Sequence, residues 1–116
     1  NVSTPLFPQA KTMQGRIILV EGIFDMLNLY DKGLENVVCC FGVNKFKPES
    51  LDLLKVSGVM GIDVMFDNDE AGRASSEKIK EICKGFPIRV VTLKNGDPGE
   101  LSEKQVKNLR KRLYGS

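Results

Sequence analysis

Four short apolar runs recur along the chain, Arg16–Val20, Val37–Phe41, Gly61–Phe66 and Ile88–Thr92, each rich in β-branched residues. After each run the apolar positions return every three or four residues instead. Continuous apolar runs mark strands buried on both faces, and a three-to-four step marks a helix with one buried side. The pattern predicts β-α-β-α-β-α-β-α, which is an α/β fold. About four parallel strands, joined by right-handed crossovers, would be flanked by helices on both faces in a three-layer sandwich.

Local signals sharpen the helices. Phe24, Leu27 and Tyr30 mark the first, which ends near Gly33, and Pro48 suits the opening turn of the second, leading into Leu51 and Leu54. After Asp69, the positions Ala71, Ser75, Ile79, Ile82 and Cys83 form a sheet-facing stripe that Gly85 stops. Ser102-Glu103-Lys104-Gln105 has the form of a capping box, and Val106, Leu109 and Leu113 then line one side of a last helix whose basic residues face outward.

With 116 residues, 41% of them hydrophobic, the chain fits one domain. Residues 1–15, with Pro5, Pro8 and Gly15, read as an irregular arm, 16–101 as the core and 102–116 as an appended basic helix. No apolar run reaches the roughly 20 residues that span a bilayer, and the first residues lack the basic and apolar regions of a signal peptide. The expectation is a soluble, intracellular protein with no membrane partner. Asn1 is not Met, so the chain is expected to be a piece of a longer or processed polypeptide.

Charge and cysteine usage remove several classes of chemistry. A net charge of +2 does not by itself announce a nucleic-acid binder, and the cluster Lys104, Lys107, Arg110, Lys111 and Arg112 reads first as a solvated helix face. Cys39, Cys40 and Cys83 cannot pair into a disulfide framework, and without His they cannot complete a four-ligand structural zinc site. They read as small buried apolar fillers. The absence of His also excludes Ser–His and Cys–His nucleophiles. Carboxylates, lysines and metals remain.

The carboxylates fall where chemistry is expected. Val20-Glu21-Gly22 and Phe66-Asp67-Asn68-Asp69 each end an apolar run and precede a helix, and open α/β sheets gather ligands beyond the carboxyl ends of their strands. Like charges brought together raise one another's pKa, and a hard divalent cation such as Mg²⁺ or Mn²⁺ is the natural neutraliser for oxygen donors. The alternative is structural: Asp69 caps the following helix and Asp67 closes a turn. Glu21, arriving from a separate strand, favours the metal. Gly22, Gly42 and Gly72 would let backbone approach a ligand. Neither the dinucleotide fingerprint nor the phosphate-loop spacing occurs.

Val20-Glu21-Gly22-x-x-Asp25, Gly42 after the second strand, and Asp67-Asn68-Asp69-x-Ala71-Gly72 resemble the Toprim domain shared by topoisomerases and primases. The fullest form of the two acidic motifs is most similar to that of bacterial DNA primases and of phage or mitochondrial primase-helicases. The resemblance covers about Arg16 to Leu101 and implies the Toprim fold, a Rossmann-like sandwich. It implies that Glu21 acts as general acid or base or as a metal ligand, and that Asp67 and Asp69 hold Mg²⁺ or Mn²⁺. Asp25, one helical turn past Glu21, is read as capping or pairing within its own helix. Asp97-Pro98-Gly99 aligns with an Asp-Pro-Asp motif that would add Asp97 to the metal ligands, with Gly99 in place of the second acid. Whether Glu100 substitutes for it, or the segment is an ordinary turn, stays open.

The resemblance further implies Mg²⁺-dependent nucleotidyl transfer, with RNA primer synthesis on single-stranded DNA. The implied partners are a single-stranded DNA template, nucleoside triphosphates and a replicative helicase, in the cytoplasm and at the nucleoid of a bacterial or phage-infected cell. Lys45, Lys47 and Lys94 follow strand ends and Arg73 stands beside Gly72; each either meets phosphate or faces water. Strand cleavage of the topoisomerase or nuclease type, and a non-catalytic metal and nucleic-acid-binding module, are the alternatives. Tyr30 and Tyr114 fall outside the acidic loops and do not suit a cleavage nucleophile. The Asp-x-Asp of haloacid-dehalogenase phosphatases and the acids of receiver domains belong to the first core strand, whereas Asp67 ends the third.

Overall fold

The computed structural model describes residues 15–94 and 97–115. The expected arm over 1–15 therefore lies outside the described residues except for Gly15. Eight regular elements run in strict alternation: β1 (Gly15–Val20), α1 (Ile23–Asp31), β2 (Val37–Cys39), α2 (Pro48–Val56), β3 (Val59–Val64), α3 (Glu70–Ile82), β4 (Ile88–Val90) and α4 (Glu103–Tyr114). The strands form one parallel sheet in the order β2-β1-β3-β4. From β1 the chain moves one way through α1 to β2, and from β3 it moves the other way through α3 to β4. The sheet's switch point thus lies between β1 and β3, at their carboxyl ends.

β1 and β2 each feed two cores, which is why their sequences do not alternate. Ile17, Leu19, Val38, Ile62 and Val64 pack with Leu51 and Leu54 of α2 and Ile79 of α3. Ile18, Val20, Val37 and Cys39 pack with Met26 and Leu29 of α1 and Val106 and Leu109 of α4. The three-layer α/β architecture is the one expected. No helix among the described residues is long and apolar enough to cross a membrane.

Three local expectations need adjustment. Strand pairing stops at Cys39, Val64 and Val90, short of Phe41, Phe66 and Thr92. The chain runs on beyond each through single bonds, Cys40 N–H to the Val20 carbonyl, Met65 N–H to that of Leu19 and Val91 N–H to that of Val64. In α1 the buried positions are Met26 and Leu29, while Phe24, Leu27 and Tyr30 lie on the outer face. An apolar residue every three or four positions defines two possible stripes there, and the sheet takes the other one. In α3 the stripe is Gly72, Ser76 and Ile79 rather than Ala71 and Ser75. Gly72 is required by contact, because a Cβ there would overlap the Asp67 carbonyl oxygen.

A buried ion cluster ties the sheet to α4. Asp63, fully buried in β3, accepts hydrogen bonds from Arg16 Nη2 at 2.6 Å, Arg89 Nε at 2.9 Å and the Tyr114 hydroxyl at 2.7 Å. Burial pushes its carboxyl up, but the bonds from Arg89, Arg16 and Tyr114 outweigh that and hold it below the usual carboxylate range. The α4 capping box forms as expected, with Ser102 N–H donating to Gln105 Oε1 at 2.8 Å and Gln105 N–H donating to Ser102 Oγ at 3.2 Å.

Candidate functional site

The loops after β1 and β3, together with the segment after β4, converge on the switch point. Glu21 and Gly22 leave β1 and enter α1, whose first turn carries Asp25. The Asp25 carboxylate accepts from the Gly22 N–H at 3.2 Å, so it caps its own helix as expected. Its other oxygen accepts from the Gly99 N–H at 3.0 Å, 74 residues along the chain. The side-chain amide of Asn28, one turn later, donates to the Pro98 and Leu101 carbonyls at 2.9 and 3.0 Å. These bonds lay the 97–101 segment, including a single 3-10 turn at Pro98–Glu100, along α1.

That fold-back assembles an acidic centre. Carboxylate oxygens of Asp25, Asp67 and Asp97 lie within 4.8 Å of one another, all half-buried, and each comes from a different loop or helix start. Burial pushes the Asp67 carboxyl above its usual range, and the charges of Asp25, Asp97, Asp69 and Glu100 push it further. Burial also raises Asp25, with Asp97 and Glu21 adding to it and the Gly22 and Gly99 N–H groups opposing. Glu21 is raised first by burial, then by Asp67 and Asp69, while the Val43 backbone N–H draws it back. Three hard oxygen donors at mutual distances that keep their charges in conflict form a donor set that suits a divalent cation of the Mg²⁺ or Mn²⁺ kind.

Each of the other residues singled out in the sequence has a definite place. Asp69 Oδ1 accepts from the Gly72 N–H at 2.7 Å and so caps α3, which was the structural alternative for this residue. Asn68, between the two acids, donates to the Lys94 carbonyl at 3.1 Å and accepts from Arg73 Nη1 at 3.4 Å. Those bonds tie the β3 loop to the exit of β4. Lys45 ends a short 3-10 turn, Val43–Lys45, and Lys47 precedes α2; both are exposed, as is Lys94. Gly42, with φ of 106°, donates its N–H to the Glu21 carbonyl at 3.0 Å. Gly99 faces the centre: a Cβ there would lie 3.0 Å from Asp25 Oδ1 and 3.2 Å from Asp97 Oδ1, so the acid of an Asp-Pro-Asp motif would enter this cluster.

Sequence reasoning treated Asp25 as a cap and passed over Asn28. The signal for the first was its position, since a carboxylate three residues into a helix that begins at a strand end stands over the same loops as the strand-end acids. The Cys39 thiol only donates to the Glu21 carbonyl at 3.5 Å. All three cysteines are buried, and burial pushes Cys40 up to about 12 and Cys83 up to about 11. Tyr114 is engaged by Asp63, and burial together with that carboxylate raises its hydroxyl pKa.

Residues 18–111 match the family described as Toprim-like. The DNA primase of Clostridium acetobutylicum is 32% identical over 100 residues, which take in 84% of this chain and 16% of that protein. Among solved structures, the zinc-binding and RNA polymerase domains of the Aquifex aeolicus primase align with a TM-score of 0.76 at 31% identity, over 95% of this chain and 29% of that one. The primase fragment of the bacteriophage T7 primase-helicase aligns with a TM-score of 0.70 at 27% identity, over 82% of this chain and 42% of that one. The chain spans about a sixth of the length of the curated relatives it matches.

Proposed function

This chain belongs to the Toprim-like family, as the Toprim domain of a DNA primase-like protein, and from that premise we propose that it performs metal-dependent nucleotidyl transfer, building an RNA primer on single-stranded DNA. The observation that carries the reading is the convergence of Asp25, Asp67 and Asp97 at the switch point, with Glu21 near enough for Asp67 and Asp69 to raise its pKa. Asp25, Asp67 and Asp97 would hold a divalent cation, with Asp69 and Glu21 at the edge of its field. The cation, when bound, supplies positive charge against the phosphates of a nucleotide and against the negative charge that develops on attacking and leaving oxygens.

The chain's own residues do the rest. Glu21, raised by burial and by its neighbours, would accept a proton from an attacking 3′ hydroxyl. Asp69 holds the start of α3, the helix that follows the Asp67 loop. Asn28 and Asp25 hold Asp97 in register by pinning the 97–101 segment. Lys45, Lys47, Arg73 and Lys94 are assigned to triphosphate or template backbone. Single-stranded DNA and nucleoside triphosphates are the proposed substrates. A replicative helicase is the proposed partner, because a primase-helicase shares the fold. The proposed setting is the cytoplasm of a bacterial or phage-infected cell.

The test is nucleotide binding and template-directed incorporation of labelled ribonucleotide, with Mg²⁺ or Mn²⁺ and with neither. The reading predicts that ATP binding requires the metal and is lost in Asp67→Asn, and that incorporation is lost in both Asp67→Asn and Glu21→Gln. Incorporation that survives both substitutions would contradict it.

A further inference from the structure

We propose that the ring of Phe41 is a stacking platform for a nucleobase whose phosphates are held at the acidic centre. The inference rests on the nucleotidyl-transfer reading and adds a base-positioning residue to it. Among the described residues, Phe41 is the sole non-glycine with a positive φ, +59°. In that region a Cβ crowds the following carbonyl oxygen, so Gly is the usual occupant and Asn or Asp the tolerated ones, and a bulky residue there is an outlier. Such strain persists where the surrounding structure over-determines it, and it concentrates at functional sites.

The surroundings do over-determine it. Cys40 N–H bonds to the Val20 carbonyl at 3.0 Å and Gly42 N–H to the Glu21 carbonyl at 3.0 Å. Phe41 is therefore held between two anchors on the strand end that carries Glu21, and it cannot slide toward or away from the centre. Packing does not explain the residue: Phe41 remains 39% exposed, whereas Phe46 and Phe66 are 1% and 4% exposed. A partly exposed aromatic ring on the segment bonded to the strand end that carries Glu21 matches what a base requires, since every nucleobase has a π face and stacking needs no hydrogen-bond code.

The base has two possible sources, a free nucleoside triphosphate or a single strand, and separate titrations distinguish them. The chain has no Trp, so Phe41→Trp places one reporter at the rim. In Mg²⁺, ATP is expected to quench its emission and inorganic tripolyphosphate is not. Phe41→Ala is expected to weaken ATP binding, binding of a single-stranded DNA oligonucleotide, or both, by about 5- to 100-fold, while tripolyphosphate binding is unchanged and Phe41→Tyr behaves as wild type. Loss with ATP alone assigns the platform to the incoming nucleotide, and loss with the oligonucleotide alone assigns it to the strand. Unchanged binding of both, or an equal loss with tripolyphosphate, would overturn the platform, the second result because the residue would then act through loop shape. A wild-type protein that binds tripolyphosphate and ATP equally refutes stacking and leaves the phosphate site standing. One that binds no probe with either metal refutes the functional reading and the platform together.

Discussion

Single residues in this protein divide sharply into those that hold charge apart and those that hold it together. Asp63 is buried yet meets two arginines and a tyrosine, so its removal would strand Arg16 and Arg89 against an apolar sheet. Asp63→Ala is expected to cost about 3 kcal/mol in urea denaturation, less than for a wholly buried pair because both arginines reach solvent. The pH dependence has a definite sign. The folded carboxyl lies below its unfolded value of about 3.9, so its contribution is present above that value and is lost as pH falls through the folded pKa. Asp63→Asn should flatten the acid limb of the stability profile. None of this cluster was legible in the sequence, where Asp63 is one polar residue in an apolar run and its partners lie on other strands and on α4. Glu21, Asp67 and Asp69 were legible as acids just past apolar runs, whereas Asp97 was legible only through the resemblance of Asp97-Pro98-Gly99 to an Asp-Pro-Asp motif. The place of Asp25 in the cluster was not, since it depends on a segment 74 residues away folding back onto α1.

At the scale of elements, α1 and α3 show why a periodic pattern names a helix but not its buried face. Two apolar stripes run along α1, and only packing against β1 and β2 selects Met26 and Leu29. Leu29→Ala should therefore cost about 2–5 kcal/mol, whereas Phe24→Ser, at a position 79% exposed, should change stability by less than about 0.5 kcal/mol; thermal and chemical denaturation check both. In α3 the same carboxylate that reads as a metal donor in the sequence is engaged at the helix start. Asp69→Ala should lose about 1 kcal/mol without any metal present, and Asp69→Asn, which caps equally well, should lose almost none. A loss of metal affinity in the Asn variant would then be the separate measure of its charge. The order β-α-β-α-β-α-β-α and the capping box at Ser102 were readable because they rest on local spacing, and strand ends were overextended because apolar residues continue past the last paired one.

For the molecule as a whole, the acids gathered at the sheet's switch point set mutual repulsion against stability. Burial and mutual repulsion raise Glu21, Asp25 and Asp67, so the folded state carries unfavourable charge at neutral pH that a cation would relieve. A divalent metal held by these acids would show itself in thermal unfolding at pH 7 with and without Mg²⁺ or Mn²⁺. Metal at a hundred times its dissociation constant is expected to stabilise the wild type by about 2.7 kcal/mol. Asp67→Asn is expected to be at least as stable as wild type without metal and to gain nothing when metal is added. A wild type indifferent to both cations, or an Asp67→Asn variant stabilised by them as much as the wild type, would contradict metal binding by these acids.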